Sequence, residues 1–332
     1  MQILSPLSEI RNFEPLAEAG ADEFFCGFIP FEWLNKFSSV IPLNRRENLA
    51  KATNMTSYSS MKILKRMADS YGIPVKITFN AHYYQNELYP YITKIVNSLM
   101  DIGFETFIIA DLALVIYLRE AGIKCTVHFS GEIEAINHRT IQLLNQFEVS
   151  RYVFPRKIPI ANMEQLINGS GVKGQIEFEA FILNALCSFS GGFCNSLHCD
   201  ELLPACYIPQ KTSKLDDESN IFPKVGDKLK SMEMFRDRLK LADPEKKRGY
   251  DYPRFGNEGC GVCKIRKLMD IGVTHLKVVG RGYVLEYMIE DIKIMKSLIR
   301  LANEITDPHE YEVRVKAEIF NNRCPAFCYY PD

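Results

Sequence analysis

The chain has 332 residues, 47% of them hydrophobic, and a formal net charge of -1. That length holds one large α/β domain or two ordinary ones, and the balanced charge makes nucleic acid no obligatory partner while leaving a local basic patch open. No apolar run approaches the roughly 18–20 residues that cross a bilayer. The start Met1-Gln-Ile-Leu-Ser-Pro6 lacks the charged and apolar regions of a signal peptide, so a cytoplasmic protein is expected.

Short apolar strands alternate with helical stretches along the chain. Strands are predicted over 1–5, 21–27, 75–79, 106–110, 124–129, 151–154, 176–183 and 275–279. Helices are predicted over 8–19 (with Ser8 as cap), 59–71, 88–102, 112–121, 132–146, 161–167, 264–271 and 285–302. Eight strand–helix repeats imply parallel strands with crossover helices. The expected fold is α/β, a (β/α)8 TIM-like barrel with a cysteine-rich insertion after strand 7 and a C-terminal tail, its rival a doubly wound open sheet. Residues 1–206 would carry the first seven units and 260–303 the last. Between them 207–259 reads as a polar insertion or lid with a helix at 228–241. The tail, 304–332, contains a strand-like stretch at 311–316.

Polar residues recur where the predicted strands end: Asn80 and His82, Asp111, Ser130, Arg156, Asn184 with Cys187, and Arg281. In a barrel these ends converge on the active-site face. Asp111 and Ser130 serve equally well as helix caps. Arginine is not a preferred cap but suits a carboxylate or phosphate, so Arg156 and Arg281 point to a small anionic substrate or co-substrate. His82 is a candidate for acid–base work, and so is His128, which equally suits a filled barrel interior.

Ten cysteines in a reducing compartment do not read as five disulfides. Cys26 and Cys125 lie in apolar strands and read as small buried hydrophobes. The other eight are clustered: Cys187, Cys194, Cys199 and Cys206, then Cys260 and Cys263, then Cys324 and Cys328. Thiolates gathered past a strand end suit an iron–sulfur cluster or a zinc ion better than a core.

The run Glu179-x-Phe181-x-x-Asn184-Ala185-Leu186-Cys187-x3-Gly191-x2-Cys194 closely resembles the signature of the U32 peptidase, or collagenase-like protease, family. Gly272-Val-Thr-His-Leu-Lys277-Val-Val-Gly280-Arg281 is similar to that family's second hallmark, and the likeness covers roughly residues 1–290, taking in Arg45-Arg46, Ser130, Asn137 and Arg156. Asn184 stands where the family usually has glycine, and Val279 where it has glutamate. The resemblance implies a barrel-like core and, from the better-understood members, a 4Fe–4S cluster used in oxygen-independent hydroxylation of ubiquinone precursors or RNA bases. Cys187 and Cys194 match the first two ligands, Cys206 the third, and Cys260 or Cys263 the fourth.

Zinc competes. Cys260-x2-Cys263 and Cys324-x3-Cys328 have zinc-knuckle spacings and together would form a second, tail-pinning site. Cys199 would then complete the cluster. The expectation is a cluster that takes a ligand from the Cys260/Cys263 pair. A peptidase, as the family name promises, is an alternative, although the chain has no HExxH and no Gly-x-Ser-x-Gly, and the adjacent His198 and Cys199 are poorly disposed to act together. The remaining alternative is a noncatalytic subunit or zinc-binding scaffold, with a protein partner in a heterodimer.

Overall fold

The computed structural model describes residues 1–331 apart from 38–40, 48–52, 134–136, 188–190, 194–197, 200–254 and 326. The expected helix at 228–241, nearly all of the insertion, and Cys194 and Cys206 lie outside the described residues.

Eight strands form the core: β1 (Gln2–Pro6), β2 (Glu23–Phe28), β3 (Val75–Phe79), β4 (Thr106–Ile109), β5 (Thr126–Phe129), β6 (Val149–Val153), β7 (Glu177–Leu183) and β8 (His275–Val278). Each is parallel to its sequence neighbours, and β8 returns to pair with β1, so the sheet closes. This is the (β/α)8 barrel that the eight repeats predict, and the open-sheet rival is excluded by the β8–β1 pairing. Burial on both faces explains why the strands read as nearly continuous apolar runs. Two further pairings decorate the rim: Asn54–Met55 beside β2, and Arg46–Glu47 beside His198–Cys199.

The surrounding helices are α1 (Phe13–Ala19), α2 (Phe31–Phe37), α3 (Tyr58–Tyr71), α4 (Tyr89–Ile102), α5 (Leu112–Glu120), α6 (His138–Asn145), α7 (Ile160–Ser170), α8 (Ile265–Ile271), α9 (Leu285–Glu304) and α10 (Pro308–Phe320). Three differ from expectation. The first helix begins only at Phe13, because Ser8 is not its cap; Ser8 Oγ accepts instead from the Gly282 amide at 2.8 Å. The stretch from Glu132 is a 3-10 turn, and α6 starts later, where Asn137 accepts from the Thr140 amide. The strand-like 311–316 is helix α10. Asp307 caps it, Pro308 opens it, and Glu312–Lys316 and Arg314–Glu318 pair along it. Tyr311 and Val315 are buried one turn apart while Val313 is exposed, so the apolar alternation there has no strand face behind it.

The barrel interior is charged. Arg151 on β6 reaches Glu23 on β2 at 2.7 Å and Glu179 on β7 at 3.1 Å. Lys277 on β8 reaches Glu179 at 2.8 Å, Lys76 on β3 reaches Glu23 at 3.1 Å, and Glu177 joins Arg151 at the open end. Three cations therefore face three carboxylates. Burial opposes ionisation of Glu179, but Lys277 and Arg151 outweigh it and hold the carboxyl below its ordinary range. His128 does face this interior and is buried; burial first, then Arg151 and Lys76, keep its imidazole neutral. Its Nδ1 has no hydrogen-bond partner among the described residues. Cys26 and Cys125 are buried as expected.

Candidate functional site

Above that ionic layer, the strand ends carry a second group of charges at the C-terminal mouth. Glu132, in the turn after β5, is its centre. One carboxylate oxygen takes Arg45 Nη1 at 2.8 Å and the other takes Arg156 Nη1. Arg45 also donates to the Gly191 carbonyl at 3.0 Å and meets His82 Nε2. Burial opposes the charge on Glu132, but Arg156 and then Arg45 outweigh it and hold the carboxyl at about 2. The His82 imidazole is pushed down to about 4 by burial and by Arg45, so it is neutral at pH 7.

Arg156 lies over the Phe181 ring, 4.2 Å from its centroid, and Lys277 lies 5.7 Å from the same ring. Phe181 thus separates the interior ion network from the mouth. Its ring also stacks on Tyr329 at 6.3 Å, which brings the C-terminal tail over the barrel. Tyr329 hydroxyl donates to the Asn184 carbonyl at 2.6 Å, and Tyr330 hydroxyl donates to the Phe181 carbonyl. Arg156 Nε is buried with no hydrogen-bond partner among the described residues.

The sequence-named residues divide into separate groups. His82 and Arg156 come together through Arg45 and Glu132. Cys187, half-buried, lies within electrostatic reach of Arg156 and Tyr329. Asp111 stands apart: it caps α5 through the Ala113 amide at 2.9 Å and accepts from Tyr84 N and Tyr89 Oη at 3.0 and 3.1 Å. Arg281 donates to Asn54 Oδ1 at 3.1 Å. A Cβ at Gly27 would collide with both Asn54 and Arg281, so that strand position must lack a side chain. Cys260, Cys263, Cys324 and Cys328 gather at the tail. Sequence reasoning gave no role to Glu132 or Tyr329, and Arg45 entered only through the resemblance. Glu132 reads locally as a helix start, and nothing short-range joins it to Arg45.

Asn184 accounts for one departure noted in the sequence. Its φ is +66°, the left-handed region that glycine prefers and asparagine tolerates. Asparagine adds a hydrogen bond, from Nδ2 to the buried Asp291 at 2.8 Å, that glycine lacks. The segment it opens is held to the post-insertion chain by Asn184 N to Gly259 O at 2.8 Å and Leu186 N to Glu258 O at 2.7 Å.

The profile of peptidase family U32 matches residues 8–330. The chain belongs to this family. It is 22% identical over 321 residues to tRNA hydroxylation protein P2 of Bacillus subtilis, covering 93% of this chain and 89% of that protein. It is 24% identical over 234 residues to tRNA hydroxylation protein P of Haemophilus influenzae, covering 68% of this chain but only 46% of that protein. This U32 chain therefore spans less than half the length of that relative. A protein of Porphyromonas gingivalis named collagenase is 22% identical over 319 residues, covering 90% of this chain and 65% of that one. No helix of the described residues is long and apolar enough to cross a membrane.

Proposed function

We propose that this U32 chain takes part in oxygen-independent hydroxylation of an RNA base, using a 4Fe–4S cluster at the barrel mouth. The observation that carries the proposal is the position of Cys187 beside Arg156, at the mouth where the Arg45–Glu132–Arg156 group lies. The fit of the residues to such a cluster rests on donor chemistry. Cys187 presents a soft sulfur donor on chain held by two backbone hydrogen bonds, and thiolates are the usual ligands of iron–sulfur clusters. Cys187, Cys194 and Cys206 would hold the cluster, with Cys199, Cys260 or Cys263 as the fourth ligand.

When bound, the cluster supplies electron transfer or, with an open iron position, Lewis acidity. The chain's own residues do the rest. Arg156, whose side chain stays 19% exposed, presents its guanidinium to a carboxylate or phosphate of a small anionic co-substrate, with Arg45 beside it across Glu132. His82, neutral at pH 7, can accept a proton at the same place. Support from relatives comes from two names that specify tRNA hydroxylation, one belonging to a protein matched over nearly its full length.

The collagenase-named relative keeps peptide hydrolysis as the second reading. The two are separated by deleting the gene and analysing tRNA nucleosides by mass spectrometry. The proposal expects loss of a hydroxylated nucleoside, restored by the wild-type chain but not by Cys187→Ala or Arg156→Gln. Unchanged tRNA, together with peptidase activity that survives Cys187→Ala, would overturn it in favour of hydrolysis.

A further inference from the structure

Two stretches far apart in sequence meet at the rim of the mouth: residues 43–47, between α2 and α3, and the chain past β7 that contains Gly191, His198 and Cys199. The first stretch is pinned to the barrel. Tyr84 Oη donates to Leu43 O at 2.7 Å, Asn44 Nδ2 donates to Phe28 O at 3.4 Å, and Arg45 N donates to Asn80 Oδ1 at 3.2 Å. Those bonds tie it to the ends of β2 and β3. From there it grips the second stretch twice. Arg45 Nη1 donates to Gly191 O at 3.0 Å, and Arg46–Glu47 pairs in parallel with His198–Cys199. Cys194 falls between these two ties in the sequence.

Glu132 supports the first tie. Its carboxylate takes the same Arg45 nitrogen at 2.8 Å, which keeps the buried guanidinium aimed at Gly191. The approach is close: a Cβ at Gly191 would stand 2.8 Å from Glu132 Oε2, and one at Gly192 would stand 2.8 Å from Ile133 O. Only glycines let this backbone close onto the turn Gly131–Ile133. The Cys187 end of the loop has separate anchors, the bonds from Asn184 and Leu186 to Gly259 and Glu258.

We infer that Arg45 and Glu132 are positioning residues that seat the loop running from Cys187 to Cys199, and so set where Cys194 falls relative to Cys187. Charge balance with Glu132 alone requires neither the bond to Gly191 nor the strand pairing beside it. The inference rests on the cluster reading only for what the loop carries, whereas the seating itself is independent of it. Hydrogen–deuterium exchange of the full-length, anaerobically purified chain tests the seating, with iron release to a ferrous chelator as a second readout. Arg45→Gln is expected to speed exchange in peptides covering 187–199 about tenfold, with the eight barrel strands unchanged. Gly192→Ala leaves every buried charge in place and is expected to do the same, because its methyl meets Ile133 O. Where the wild type carries iron, both variants should release it about tenfold faster. Exchange unchanged in 187–199, exchange raised equally in the barrel strands, or iron release as slow as in the wild type would each overturn the inference. An iron-free wild type would instead contradict the cluster at the mouth, and exchange alone would then decide the seating.

Discussion

Glu132 stands between two arginines, and its ionisation couples the mouth to pH. Folded, the carboxyl stays charged down to about 2, against 4.5 ordinarily, because Arg156 and Arg45 outweigh its burial. The unfolded chain therefore takes up the proton first as pH falls. The stabilisation is complete above pH 4.5, is lost between 4.5 and 2, and amounts to roughly 3 kcal/mol. His82 acts one window higher. Its folded value of about 4 lies below the ordinary 6.5, so stability also declines as pH falls from 6.5 to 4. Urea midpoints measured from pH 7 to 2 should fall in both windows, and Glu132→Gln should flatten the lower one. A second residue-scale prediction concerns Asn184. At φ +66°, Asn184→Gly loses the bond to Asp291 but keeps the backbone relaxed, whereas Asn184→Ala loses both. Alanine should be the more destabilising by about 1 kcal/mol, as read from equilibrium unfolding.

At the scale of elements, the tail from 321 onward contributes more than its length implies. It buries Tyr329 and Tyr330 and covers Phe181. Removing residues 321–332 should lower stability by about 3 kcal/mol or more, since each aromatic ring returned to water costs about 1.5–3 kcal/mol. A truncated chain as stable as the full one would deny the tail this part. The eight barrel strands were legible because burial on both faces leaves a strong apolar signal in each. Helix α10 was not: Tyr311, Val313 and Val315 alternate, and only the cap at Asp307 and the four-residue charge pairs reveal a helical period. Arg156 was legible as a strand-end arginine. Its partner Glu132 was not, because the Arg45–Glu132 contact spans 87 positions and no local pattern records it. Likewise the short cysteine spacings were visible, but which pairs meet depends on where the tail returns.

Over the whole molecule, the barrel holds its ionic layer in the middle and its candidate chemistry at one end. Arg151 joins Glu23, Glu177 and Glu179 and so ties β2, β6 and β7 across the barrel. Arg151→Met should destabilise the protein by about 3–5 kcal/mol, because it strands buried carboxylates rather than removing a balanced set. A loss below about 1 kcal/mol in chemical denaturation would show that the layer tolerates imbalance. Phe181 caps this layer, buried beneath Arg156 and Tyr329. The account stands most on a cluster held at that mouth by Cys187. Its most direct test is iron and acid-labile sulfide per chain in anaerobically purified protein, beside Cys187→Ala. About four of each are predicted in the wild type, with both lost in the variant. A wild-type chain carrying zinc but neither iron nor sulfide would contradict it.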